Sequence, residues 1–239
     1  MDASRLEKRR TAALEEIRAA AWKQISEKGA VALSLRAIGR EMGLAATAIY
    51  YYYKDRDALV TALLMDAFTA FADALEAARD SRPPGDYAGR FRLMCKAYFT
   101  WAAQNPQRYA LMFGTPIEGY LFAKELGPVA QRSFLVLLGV IGRAHAAGKI
   151  TGPWSTLRLP GPLRTQYESL KRLGMPHQLI DIHLALSVWT TMHGITSLYL
   201  YHYMSGFLQQ DVETFVDYEI DKLARMLGLA SSEKNDVNE

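Results

Sequence analysis

Apolar residues recur three and four positions apart along almost the whole chain, the spacing that lines one face of an α-helix. Leu14, Ile17, Ala21 and Ile25 form such a face over about residues 9–28, and Gly29 closes the segment. Ser34 is placed to cap a short helix carrying Leu35, Ile38 and Met42. Gly43 follows, where a helix commonly ends on a left-handed residue, and a second short helix takes in Ile49 and Tyr50. Asp55 then opens a long helix to about Arg79, with Leu59, Leu63, Phe68, Phe71 and Leu75 as its inner stripe.

The run SRPPGD at 81–86 breaks the pattern as a loop. A helix over about 86–104 offers Phe91, Met94, Tyr98 and Trp101, and Asn105-Pro106 restarts a short one bearing Tyr109, Met112 and Phe113. A further helix is expected over roughly 118–147. Residues 149–176 are rich in Gly and Pro around a short helical piece near 164–172, and a connection of that length in a compact domain is commonly functional or disordered. Two long helices, about 176–205 and 211–228, complete the pattern, and the polar tail from Ser231 is expected to be disordered. No stretch alternates with the period of a strand. The expected fold is all-α: an N-terminal three-helix unit over 1–57, a helical bundle over 58–230, and a disordered tail over 231–239.

Two short helices joined by a tight Gly-containing turn describe a helix-turn-helix, whose second helix enters the major groove of DNA. Tyr50 to Tyr53 close that second helix, and Lys54 and Arg56 follow. A phenol packs as an apolar group yet hydrogen-bonds a phosphate oxygen, and a neighbouring cation adds a charge-assisted contact.

Residues 10–60 resemble the DNA-binding domain of the TetR family of transcriptional repressors. The resemblance rests on Ile17, Ala20-Ala21, Gly29, the run Ser34-Leu35-Arg36-Ala37-Ile38, Gly43, Tyr50 and Asp57-Ala58-Leu59. Ala45 stands where the family usually has serine, which weakens the cap of the second helix or moves it to Thr47. Tyr53 replaces the usual phenylalanine and Arg56 the usual lysine. The expected DNA-contacting set is Ser34, Arg36, Thr47, Tyr50, Tyr51, Lys54 and Arg56, with Thr47 reaching a base edge and Tyr50 the backbone. Further along, Trp189 to Leu198 with His193-Gly194, together with Asn105-Pro106 and Tyr109, is similar to the Trp-His-Gly ligand-binding domain of one branch of that family.

Charge and composition fit this picture. The net charge of +3 lies wholly within residues 1–60, which hold 11 Lys and Arg to 8 Asp and Glu, while residues 61–239 hold 17 of each. Arg5, Lys8, Arg9 and Arg10 precede or begin the first helix, where a flexible basic arm could reach a neighbouring groove or phosphate. The single Cys95, in an apolar stretch, reads as a buried inert thiol. MDASRLEKRR lacks the apolar core of a secretory signal, and the apolar stretch near Phe134–Ile141 is too short to span a bilayer, so a cytoplasmic protein without a membrane partner is expected.

Catalytic chemistry is not evident. No Gly-x-Ser-x-Gly elbow, phosphate-cradling glycine loop or nucleophilic Cys/His pair occurs, and the five histidines include no pair three or four apart. No catalytic site, metal or cofactor is therefore expected. Aromatic and Met residues at helical spacing either fill a bundle core or line a small-molecule pocket. The candidates for a pocket are Phe68, Phe91, Met94, Tyr98, Trp101, Met112, Phe113, Trp189, His193 and Thr196. A buried His193 needs a hydrogen-bond partner, which an effector or a neighbouring carbonyl or carboxylate would supply equally. The stripe Val212, Phe215, Val216, Leu223 and Met226-Leu227, with the apolar run Leu184–Leu200, points to a homodimer through residues 178–204 and 211–228. The expected function is a homodimeric repressor released from a palindromic operator by a small, largely apolar effector. An effector-independent DNA-binding protein and an all-α enzyme are the competing readings.

Overall fold

The computed structural model describes residues 3–151, 158–172, 178–208 and 211–229. Among these the fold is all-α, without strands. The helices are α1 (Ala3–Lys28), α2 (Leu35–Glu41), α3 (Ala46–Tyr52), α4 (Arg56–Asp80), α5 (Tyr87–Gln104), α6 (Pro106–Phe113), α7 (Leu126–Ala146), α8 (Gly161–Arg172), α9 (Leu179–Leu200), α10 (Ser205–Leu208) and α11 (Val212–Met226). A 3-10 turn, Ala30–Ala32, follows α1. The chain divides into two compact units, one of residues 1–69 and 105–130, the other of 70–104 and 131–239. α4 contributes its first half to one and its remainder to the other.

The first unit is organised around Ile17, Ala21 and Ile25 of α1, Leu35 and Ile38 of α2, Ile49 of α3, and Leu59 and Leu63 of α4, all buried. Local signals set the helix ends. The Ser34 hydroxyl accepts from Ala37 N at 3.4 Å, capping α2, while Ser34 N donates to Oε1 of the buried Gln24 at 2.7 Å and so ties that cap to α1. Gly43, at φ 66°, ends α2, and Leu44 N donates back to Gly39 O at 2.8 Å. Gly39 faces α3, where a Cβ would make ordinary contact with Ile49 at 3.6 Å. Asp55 caps α4 by accepting from Ala58 N at 2.7 Å.

In the second unit α5 presents Phe91, Met94, Cys95, Tyr98 and Phe99 to the core. α5 packs on α9 and α11, and α8 packs on α9. Phe71 and Leu75 of α4 and Leu138 and Ile141 of α7 complete the apolar interior. By length and composition α4 is apolar enough to cross a membrane, with mean hydropathy 1.6 over 18 residues, yet half of that window is buried inside the protein.

Several expected elements differ. The basic arm is not an extended segment: Arg5, Lys8, Arg9 and Arg10 lie on α1, which begins at Ala3. Residues 3–16 contain no Gly or Pro and many strong helix formers, so nothing stops the helix from running on toward the N-terminus. The helix expected from 118 begins only at Leu126. Pro116 and Gly119, the latter at φ 77°, hold the preceding residues in turns, and Tyr120 fixes that loop through a 3.0 Å hydroxyl contact with Thr61. The helix expected to reach 205 ends at Leu200, where His202 takes φ 62° and α10 restarts the chain in a new direction. The 231–239 tail lies outside the described residues, as do the Gly-Pro and Gly–Pro clusters at 152–153 and 174–176 within the expected connection.

Candidate nucleic-acid interface and effector cavity

α3 has a buried and an open side. Ile49 anchors it in the core, Ala48 and Tyr52 are half-buried, and Thr47, Tyr50 and Tyr51 are exposed, Tyr51 at 75%. Ala45 stands at its N-cap and supplies no side-chain hydrogen bond, so the first turn leaves backbone N–H groups uncapped by any side chain. Thr47 is the second residue of the helix rather than its cap. Arg36 is exposed on α2, and Ser34, which caps that helix, is half-buried. Thr47, Tyr50 and Tyr51 therefore share the open side of one helix, held by a second helix that ends in a Gly turn.

The two cations after α3 are placed differently. Lys54 is exposed, 3.9 Å from Asp55. Arg56 is half-buried: its Nη2 donates to the carbonyls of Ala30 and Val31 at 3.3 and 3.4 Å, and its Nε is buried without a partner. Its guanidinium thus joins the start of α4 to the 3-10 turn. Sequence spacing offered no sign of this tertiary contact.

The residues expected around an effector fall into both units. Phe68, Met112 and Phe113 belong to the first, where Phe68 meets Phe113 edge-on at 5.9 Å. In the second, the Tyr98 hydroxyl lies 3.3 Å from His193 Nδ1, and His193 stacks on Trp189 at 5.5 Å with ring planes 18° apart. Burial holds the His193 imidazole below its ordinary value of 6.5, favouring the neutral ring. Trp101 packs against Phe71 at 5.0 Å. Thr196 is fully buried, and its hydroxyl has no hydrogen-bond partner among the described residues.

A cavity of about 20 Å³ lies among Leu75, Met94, Cys95, Tyr98, Ser133, Leu137, Val188, Trp189 and Met192, enough for about one water. Tyr98 and Trp189 are among its expected residues; His193, Trp101 and Thr196 stand outside its lining. Met94 is expected there as well, whereas Cys95, Ser133 and Met192 join it unforeseen, because their convergence depends on how α5, α7 and α9 pack. Burial raises the Cys95 thiol far above its usual range, which keeps it protonated and unreactive.

Part of the apolar stripe of α11 packs within the chain. Val216, Ile220 and Leu223 are buried on α5 and α9, so Val216 and Leu223 are core residues rather than a free face. Exposed large apolar residues occur instead at Leu198 and Tyr201 near the end of α9, at Tyr203 and Phe207, and at Tyr218 and Met226.

Residues 17–63 match the family described as bacterial regulatory proteins, tetR family, and residues 91–223 match the tetracyclin repressor-like C-terminal domain, which covers more than half of the chain. The chain belongs to the TetR family. This TetR regulator is 33% identical over 183 residues to HTH-type transcriptional regulators of Mycobacterium tuberculosis and Mycobacterium bovis, covering 74% of this chain and 75% of theirs. The solved regulatory protein SCO4313 is 33% identical, with a TM-score of 0.74 over 91% of this chain and 97% of its own. A protein of unknown function from Rhodococcus sp. RHA1 is 25% identical, with a TM-score of 0.69 over 90% and 95%. The TetR assignment makes the protein a DNA-binding transcriptional regulator and not an enzyme.

Proposed function

We propose that this TetR regulator acts as a cytoplasmic homodimeric repressor, released from a palindromic operator by a small, largely apolar effector. DNA reading is assigned to residues 1–57, and effector sensing and dimerisation to 58–230. The carrying observation is the exposed group Thr47, Tyr50 and Tyr51 on a helix anchored by Ile49. Thr47 reads a base edge, Tyr50 and Tyr51 hydrogen-bond the backbone, and Ser34, Arg36 and Lys54 contact phosphates. Arg56 enters this set with its guanidinium already engaged by Ala30 and Val31. Two such helices related by a two-fold axis read half-sites one DNA turn, roughly 34–36 Å, or a multiple of it apart. The dimer forms through residues 178–204 and 211–228, supported by the exposed Leu198, Tyr201 and Tyr218.

The effector site is assigned to the apolar cavity beside Tyr98 and Trp189, with His193 and Thr196 behind it as polar partners. Its present volume requires the cavity to open, and the flexible Met94 and Met192 on its wall allow that. Occupancy favours a conformer in which α4 has shifted, and because α4 runs on into the first unit, the recognition helices lose their spacing. A coupling of about 1–3 kcal/mol changes DNA affinity roughly 5- to 150-fold. The small volume favours one second reading, a DNA-binding regulator without an effector. A thermal-shift and DNA-release screen of hydrophobic compounds, run on wild type and His193→Ala, separates them. Compounds that raise Tm and release DNA from wild type but act weakly on the variant support sensing. No response from any compound leaves the effector-free reading.

A further inference from the structure

We propose that Arg132 of α7 is a latch on α4: it keeps the apolar cavity closed and holds α4 in its DNA-binding setting. The proposal rests on the effector and DNA readings above and names the contact that regulates them.

Four helices wall the cavity. α4 contributes Leu75, α7 contributes Ser133 and Leu137, and the rest comes from α5 and α9. It holds about 20 Å³, so a ligand enters only if a wall moves. The residues next to Leu75 and Ser133 in the chain, Glu76 and Arg132, join two of these walls directly. Arg132 Nε and Nη2 donate to the two Glu76 carboxylate oxygens at 2.9 and 2.6 Å, and Nη1 meets Asp73 Oδ1 at 2.7 Å. One guanidinium thus spans two carboxylates three residues apart on α4. Such a fork holds only in one geometry, and sliding α4 past α7 breaks it.

The C-terminal end of α4 is fixed in another way. Arg90 of α5, itself buried, donates through Nε to the carbonyls of Arg82 and Pro83 at 3.1 and 3.0 Å, and its Nη2 lies 3.7 Å from Asp80. That corner is a pivot, and Arg132 grips the helix one to two turns before it. From Asp80 back to Arg56 the helix measures about 36 Å, whereas Leu75 lies only about 7.5 Å along it. A rigid α4 turning at the corner moves at Arg56 roughly five times as far as at the cavity. Opening the cavity at Leu75 and displacing the start of α4 are one motion, and the Arg132 fork opposes it.

Cys95 supplies the readout. It is the chain's single cysteine, it lines the cavity, and it is buried, so in the folded protein a thiol reagent reaches it only when the cavity opens. The test follows labelling of full-length protein by methyl methanethiosulfonate, with and without a duplex that wild type selects from a random-sequence library. Arg132→Gln and Asp73→Asn/Glu76→Gln cut the latch from its two sides. Both are expected to label at least about fivefold faster than wild type and to bind the duplex at least about fivefold more weakly, the lower end of ordinary allosteric coupling. Saturating duplex should slow labelling in each protein, because linkage is reciprocal. Arg132→Lys should fall between, since an ammonium keeps the charge without the fork. Arg92→Gln breaks a 2.6 Å pair between α5 and Asp221 of α11 and should change neither quantity, which separates loss of the latch from general loosening. Melting curves establish that every variant is folded at the labelling temperature. Wild-type labelling and DNA affinity in both latch variants overturn the proposal. So does faster labelling that saturating duplex leaves unaltered, because the cavity and α4 would then be uncoupled. Failure of wild type to bind any duplex removes the DNA-binding reading and the proposal with it, whereas tight DNA binding with unaltered labelling removes the proposal alone.

Discussion

The Tyr98 hydroxyl and His193 Nδ1 lie 3.3 Å apart, joining α5 to α9 beside the apolar cavity. Trp189 covers one face of the imidazole, and the Ser197 hydroxyl lies 3.5 Å from Nε2. A phenol and a hydroxyl thus lie within reach of this imidazole, for which the sequence left open either an effector or a neighbouring carbonyl or carboxylate. Burial keeps the ring neutral, with its proton affinity below the ordinary 6.5. The unfolded chain takes up a proton near 6.5 while the folded chain resists it, so His193 favours folding above that pH and the advantage is lost as pH falls below it. Urea unfolding at pH 7 and pH 5 should show a smaller loss of stability in His193→Gln than in wild type. Equal losses would mean that His193 is protonated as easily in the fold as outside it.

Thr196 is fully buried with an unpartnered hydroxyl. Thr196→Val keeps the shape and removes that polar group, and relief of its desolvation cost should stabilise the protein by about 1 kcal/mol. A higher Tm is expected in calorimetry, and a lower one would show that the hydroxyl is satisfied.

The two cations expected on phosphate should separate. Lys54→Gln is predicted to lower the salt slope of DNA binding by about one unit per subunit, with little effect on stability. Arg56→Gln removes donors from the carbonyls of Ala30 and Val31, and should lower Tm as well as DNA affinity. Salt titrations and melting curves on both variants check the distinction. It fails if Arg56→Gln melts like wild type.

Leu198→Asp and Val216→Asp likewise test different things. Val216 is 0% exposed in the single chain, so a carboxylate there should prevent folding, whereas Leu198 is 49% exposed and a charge there should yield a folded monomer. Sedimentation velocity with circular dichroism distinguishes the outcomes, and a folded dimer of Leu198→Asp would move the interface elsewhere.

Much of the architecture was legible because it is local. Ser34, Gly43 and Asp55 act as caps or terminators through contacts within a few residues, and the stripes of α1, α4 and α5 repeat at the helical period. Other features depend on tertiary context. The apolar character of α11 is evident in sequence, but periodicity cannot say which of its residues pack on α5 of the same chain and which stay open. The delayed start of α7 depends on a turn at Gly119 and on Tyr120 reaching Thr61 across 59 residues. For the candidate DNA face, the helix-turn-helix pattern and the family resemblance pointed to Thr47, Tyr50 and Tyr51, which are exposed on α3, yet gave no hint that Arg56 would be drawn toward the 3-10 turn.

Tyr50→Phe removes one hydroxyl from the exposed side of α3 and should weaken binding to all duplexes alike, whereas Thr47→Ala should change which sequences are preferred. Affinities across a panel of duplexes check both, and a sequence-selective effect of Tyr50→Phe would reassign it to base reading.

The most direct measurement is selection of duplexes by the full-length protein from a random-sequence library, followed by sequencing of the bound pool. A dimeric regulator reading DNA through α3 enriches an inverted repeat whose half-sites are one helical turn, roughly 34–36 Å, or a multiple of it apart, and Thr47→Ala shifts the preferred bases within each half-site. A pool that stays random, or an enriched site without two-fold symmetry that Thr47→Ala leaves unaltered, would contradict the account.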